Sequence, residues 1–114
     1  MYRIVFTDDA RKDLILLQKR APKAIKKLKS LLEELQEHPR TGTGQVEQLK
    51  HYDEETWSRR INKEHRLVYR IYDNVVEVLI LSTYGNYISF FKLSSKEITF
   101  HSDKDINKTD LLLS

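Results

Sequence analysis

The sequence predicts an α+β domain: a small antiparallel sheet with an N-terminal strand, and a two-helix hairpin packed on one face. Three observations lead there. A run of alternating, β-branched and aromatic residues from about Thr56 to Tyr84 is broken only by short polar connections. Two stretches before it repeat apolar residues at helical spacing. The whole chain is 114 residues with no cysteine, one domain's worth of sequence that must hold its core without disulfide staples.

The elements follow in order. "YRIVF" alternates and is β-branched, so it reads as a first strand. In "TDD", Thr7 suits a helix N-cap, and Asp8 and Asp9 suit the positive end of the helix dipole. Leu14 and Leu17, with Ala10, then carry a helix to about Arg20. Pro22 fits the first position of a second helix, whose Ile25, Leu28, Leu32 and Leu35 make one apolar stripe. Pro39, Gly42 and Gly44 in "HPRTGTGQ" end that helix in a loop, and "QVEQLKH" reads as a short extended piece. Strands are predicted at about Thr56–Ile61, Arg66–Asp73 and Val75–Tyr84, joined through "NKEH" and "DN".

Strand parity raises a question about arginine. In the middle strand Leu67, Tyr69 and Ile71 point one way and can cover the helices; Arg66, Val68, Arg70 and Tyr72 point the other. In the preceding strand Trp57, Arg59 and Ile61 share one side, and Ser58 and Arg60 the other. Spacing alone leans slightly toward a solvated sheet face over a binding surface. Trp57 and Tyr69 are expected in the core rather than as base-stacking platforms.

Bulk properties exclude several classes. The histidines are scattered without ligand spacing and thiolates are absent, so no metal or cofactor is expected. No apolar run is long enough to span a bilayer, and "MYRIVFTDDA" lacks the apolar stretch of a signal peptide, so a cytoplasmic protein without membrane partners is expected. The formal charge is only +3, but Lys19, Arg20, Lys23, Lys26, Lys27 and Lys29 form a local basic run without an acid. Such a run suits phosphate, but a solvated helix face is the usual explanation for it.

One acid stands close to the arginines. Glu47 follows the glycine-rich loop and precedes Lys50 and His51. A carboxylate base, several guanidiniums and a tyrosine are what metal-free RNA cleavage uses. The base takes the proton of a ribose 2′-OH, which attacks the adjacent phosphate, while guanidiniums stabilise the charge on the non-bridging oxygens.

"GTGQVEQLK", "WSRRINKEHRLVYRIYD" and "YGNY" together resemble the Txe/YoeB branch of the RelE-like bacterial toxins, over about Met1 to Tyr87. The resemblance implies a microbial-ribonuclease-like fold. It implies a toxin–antitoxin toxin that cuts mRNA in the ribosomal A site, leaving a 2′,3′-cyclic phosphate and a 5′-hydroxyl. Its partners would be mRNA, the 30S/70S ribosome, a cognate YefM/Axe-like antitoxin and a second copy of the chain as a homodimer. Glu47 falls on the general base, Arg66 on the arginine that stabilises the transition state, and Tyr87 on the terminal tyrosine that positions the nucleotide. Lys50, His51, Arg59 and Arg60 fall where the family contacts RNA or orders the site. Arg70 joins them through strand parity, and an acidic antitoxin segment is expected across Arg59, Arg60, Arg66 and Arg70.

Two departures stand out. The family ends in His-Tyr, with the histidine as general acid toward the leaving 5′-oxygen; here Asn86 occupies that position. An amide donates a hydrogen bond but gives up no proton near neutral pH. That implies an attenuated or inactive toxin, with His51 or water as the alternative proton source. The alternative function is a catalytically weak, toxin-like binding module that holds an antitoxin and co-represses its operon. The second departure is length. Residues 1–87 make the toxin-like domain, and residues 88–114 a C-terminal extension of unknown role.

Overall fold

The computed structural model describes residues 1–85; Asn86, Tyr87 and the extension lie outside the described residues. Strand β1 (Arg3–Phe6) leads into helices α1 (Asp8–Arg20) and α2 (Ala24–Glu37), then β2 (Glu47–Leu49), β3 (Thr56–Arg60), β4 (Arg66–Tyr72) and β5 (Glu77–Ser82). These strands form a five-stranded sheet in the order β1-β5-β4-β3-β2. The β5-β4-β3-β2 portion is antiparallel, as predicted, while β1 joins β5 in parallel. The reason is the helical hairpin. It carries the chain from one sheet edge to the other, so β1 and β2 both become edge strands.

Local signals set the helix ends. The Thr7 hydroxyl accepts the Ala10 N–H at 3.1 Å, as its sequence position predicts. Helix α2 begins at Ala24, two residues after Pro22, with Lys23 as its cap. Its buried residues are Ala24, Leu28, Leu31, Leu32 and Leu35, so the predicted stripe gains Ala24 and Leu31 while Ile25 is only partly buried. They meet Phe6, Leu67, Tyr69, Ile71, Val78 and Ile80 on one sheet face. The "DN" connection is a 3-10 turn at Asp73–Val75 followed by Val76 in the left-handed region at φ 55°. A β-branched side chain is a genuine outlier there.

The opposite face is less open than strand parity implied. Val68 and Leu81 are buried on it, beneath Leu49, Tyr52 and Leu79. The segment after β2 folds back over the sheet and covers its middle.

Parity puts Arg59 on the helix side, and the structure shows what that costs and supplies. The side chain is fully buried. One terminal nitrogen donates to the Glu34 carboxylate and to the Thr43 carbonyl at 3.4 Å. The other donates to the carbonyls of His38 and Thr41 at 2.6 and 2.7 Å. Its Nε donates to the Tyr69 hydroxyl at 3.0 Å, and that hydroxyl donates to the Pro39 carbonyl at 2.8 Å. Burial pushes the Glu34 carboxyl up, but hydrogen bonds from the Thr43 N–H and hydroxyl and the Arg59 charge outweigh it, and the net direction is down. The loop between α2 and β2 is thus wrapped around one guanidinium. Gly42, at φ 126°, makes the wrap possible, because a Cβ there would lie 2.5 Å from Glu34 Oε1.

A lysine cannot reproduce the planar fork. Arg59→Lys is therefore expected to destabilise the fold by roughly 2–4 kcal/mol, the scale of stranding several buried acceptors. The readout is the urea midpoint at unchanged slope. A loss under about 1 kcal/mol would show that the loop is held by something else.

A second, partly buried ionisable group ties α1 to the end of β5. Asp13 Oδ2 accepts from the Ser82 hydroxyl at 3.0 Å and the Thr83 N–H at 3.2 Å. Burial pushes the Asp13 carboxyl up to about 6, more than these hydrogen bonds lower it. The folded state therefore holds the proton that the unfolded chain releases, and stability falls as pH rises from about 4 to about 6. The effect is at most ~3 kcal/mol. Asp13→Asn mimics the protonated acid, so it is expected to match the parent at pH 4 and exceed it at pH 7. Denaturant unfolding at several pH values reads the crossover, and parallel curves would refute it.

Candidate functional site

The site is assembled at the β2 end of the sheet, on the face away from the helices. Register places Glu47 opposite Ser58, Ser58 opposite Val68, and Arg60 opposite Arg66. These cross-strand partners share a face. Glu47 stands on the edge strand with its side chain 58% exposed, whereas the Arg66 side chain is 14% exposed. Their closest approach, Arg66 Nη2 to Glu47 Oε1, is 4.0 Å.

Arg66 is aimed by neighbours. Its Nε and Nη2 donate to the Ser58 hydroxyl at 3.2 and 3.1 Å, and Nη2 also donates to the Gln45 carbonyl at 3.3 Å. Ser58 is fully buried, so its oxygen is a fixed acceptor rather than a mobile surface group. Arg60 and Arg66 face each other directly, which is unfavourable for like charges. Gln45 relieves the pair: its side-chain oxygen accepts from Arg60 Nη1 at 3.4 Å while its carbonyl accepts from Arg66. Gln45 does this from the left-handed region at φ 51°, an uncommon place for a residue other than glycine.

Of the residues singled out from sequence, Glu47, Arg60 and Arg66 come together on this face. Lys50 and His51 lie exposed in the segment that follows β2. Two of these residues lie off the accessible surface. Arg59 is buried on the helix side with its donors committed to the α2–β2 loop, which fits ordering of the site rather than contact with RNA. Arg70 lies on the predicted face, but its side chain is only 8% exposed. Its Nε donates to the Thr56 hydroxyl at 3.2 Å, and Glu54 stands 4.0 Å from its Nη1. Glu54 also accepts from the Tyr72 hydroxyl; burial first, and this carboxylate second, push that phenol up to about 12. The covering segment thus removes Arg70 from the accessible surface and half-covers Tyr72. Asn86 and Tyr87 lie outside the described residues.

Sequence reasoning gave no role to Ser58, Gln45 or Asp13. Ser58 carried a signal in its parity with Arg60, on the arginine-bearing face. Gln45 carried none beyond its place after Gly44, because its left-handed backbone is a consequence of the folded loop. Among the described residues no group of three His, Cys, Asp or Glu side chains could hold a metal ion, and no helix is long and apolar enough to cross a membrane. The site's chemistry is that of a carboxylate and a guanidinium beside a basic rim. Such a pair can accept a proton and stabilise a phosphorane-like anion.

Comparison with known proteins places this arrangement in a family. Residues 6–85 match the model of the YoeB-like toxin of bacterial type II toxin–antitoxin systems. Toxin YoeB of Synechocystis sp. is 38% identical over 85 residues, covering 75% of this chain and 96% of the relative. Toxin YoeB of Escherichia coli K12 is 33% identical over 72 residues, covering 63% and 86%. Among solved structures, the YoeB dimer from Staphylococcus aureus superposes with a TM-score of 0.66 at 34% identity, covering 75% of this chain and 98% of that one. The YoeB protein in a heterotetrameric YoeB–YefM toxin–antitoxin complex from the same organism gives 0.64 at 35% identity, covering 76% and 99%. With the family's model spanning strands β2 to β5, both helices and the Glu47–Arg66 site, the chain belongs to the YoeB-like toxins of bacterial type II toxin–antitoxin systems.

Proposed function

We propose that this toxin is a ribosome-dependent endoribonuclease that cuts mRNA in the A site by 2′-OH attack. The observation that carries the reading is the Glu47–Arg66 pair at 4.0 Å, with Arg66 held by a buried serine. Glu47, exposed on the edge strand, takes the 2′-OH proton. The 2′-oxygen then bonds to phosphorus and the 5′-oxygen leaves, giving a 2′,3′-cyclic phosphate. Arg66 neutralises the charge on the non-bridging oxygens, and its geometry is set before substrate arrives. Arg60, Lys50 and His51 supply the rim that receives the phosphodiester backbone, and Tyr87 positions the nucleotide. The reaction calls for no cofactor, and the cytoplasm is where ribosomes would meet it.

A cognate antitoxin of the YefM kind is the second partner, supported by the YoeB–YefM complexes of relatives. Its acidic segment meets Arg60, Arg66 and Lys50. Arg59 and Arg70 drop out of that surface because they are buried. Homodimerisation is supported by the dimeric relative.

The leaving 5′-oxygen needs a proton, and Asn86 stands where the family has its acid. This observation favours attenuated cleavage, and its extreme form is the second reading: a toxin-like module that binds antitoxin and co-represses its operon without cutting RNA.

Glu47→Gln and Arg66→Ala are each expected to lower cleavage in a translating extract by roughly 10²-fold or more, with the fold intact by circular dichroism. Near-parental cleavage by either variant would remove that residue from the mechanism.

Asn86→His is expected to raise cleavage by about 10-fold or more, by restoring an acid. Equal rates in parent and variant would assign the proton to another group, His51 or water. Silence in both, with antitoxin still bound, would establish the binding-module reading.

A further inference from the structure

The end of β5 is gripped by a residue that the proposed chemistry does not use. His65 ends the turn between β3 and β4, one residue before Arg66. Its backbone is fixed from both sides. Its N–H and that of Glu64 donate to Asn62 Oδ1 at 2.8 and 2.9 Å, and its carbonyl accepts from the N–H groups of Ile61 and Asn62 at 3.0 and 3.2 Å. The side chain is 9% exposed, and its ring stacks on Tyr84 with centroids 4.4 Å apart.

The ring's Nδ1 accepts the Gly85 N–H at 2.9 Å, while the Gly85 carbonyl accepts the Arg66 N–H at 3.0 Å. Two consecutive residues thus hold both polar groups of one glycine. An accepting Nδ1 carries no proton, so the neutral ring bears its proton on Nε2, 3.9 Å from a Glu64 carboxylate oxygen. The place matters because the register of β4 with β5 runs from Tyr72 only to Val68↔Ser82, with an irregularity at Val68 and Tyr69. Arg66 lies beyond that last pair. The Gly85 carbonyl extends the sheet by one bond to reach it.

We propose that His65 is a positioning residue: it locks the Tyr84–Gly85 turn to the backbone of Arg66 and so fixes the guanidinium beside Glu47. Its catalytic consequence rests on the RNA-cleavage reading, but the lock itself does not.

Two substitutions separate the ring from the acceptor. His65→Phe keeps an aromatic ring against Tyr84 and removes the acceptor. His65→Asn loses the ring but places Oδ1 near where Nδ1 stood. In both, thermal unfolding confirms the fold, and NMR follows the Gly85 amide and the Arg66 Nε–H that donates to Ser58. In His65→Phe the Gly85 amide is expected to exchange faster and the Arg66 Nε–H signal to shift or broaden, with both restored toward parental in His65→Asn. In the translating extract, His65→Phe is expected to lower kcat about 10-fold or more with KM near parental, as misplacement of a catalytic group does, and His65→Asn to recover most of it. A parental Arg66 signal in folded His65→Phe would overturn the proposal, as would an asparagine variant no better than the phenylalanine one. Full cleavage by a variant whose Gly85 amide is released would also overturn it. A parent that cleaves nothing refutes the RNA-cleavage reading instead, and the NMR comparison then decides the lock by itself.

Discussion

The guanidinium of Arg59 is the constraint on which the rest of the site depends. A charge buried among aliphatic side chains is costly unless nearly every donor finds an acceptor. Here the acceptors come from three parts of the chain: Glu34 on α2, Tyr69 on β4, and the carbonyls of the loop between α2 and β2. Satisfying the charge therefore forces that loop into one path. The path ends at Gly44, Gln45 and then Glu47, so the buried arginine determines where the exposed carboxylate stands.

Beyond the loop, the site is built by opposing two features that each cost stability. Arg60 and Arg66 face each other across the sheet, and Gln45 adopts a left-handed backbone to accept from both. Local rules broken together at one spot are what functional sites tend to show, because the surrounding fold must supply the compensation. The compensation here is rigid. Ser58 is buried, and Arg60 is tied through its N–H to the Gly44 carbonyl. The pair facing solvent, Glu47 and Arg66, is thereby carried on strands rather than on a free loop.

Much of this was legible in the chain. Period-two alternation separated Leu67, Tyr69 and Ile71 from Arg66 and Arg70, and the helical stripe of α2 was visible because helix and strand impose different repeats. The same parity already set Arg59 on the helix side, with Trp57 and Ile61, where it orders the loop that carries Glu47. Arg70 is where parity misled. Parity names the face of a strand, but whether a face is open depends on what folds over it. The segment containing Tyr52 and Glu54 carries no periodic signal of its own.

By itself, then, the sequence determined the elements and their faces, because these follow from local periodicity; Glu47 and Arg66 were singled out by the resemblance to the toxin family. Tertiary structure decided which arginines reach solvent, since burial depends on contacts between segments distant in sequence. It decided that β1 would pair in parallel with β5, because the helical hairpin spans the sheet from edge to edge. It also decided the supporting contacts of Ser58, Gln45 and His65. Each is an ordinary polar residue in the chain, and its role exists only once long-range pairing brings its acceptor to a particular N–H.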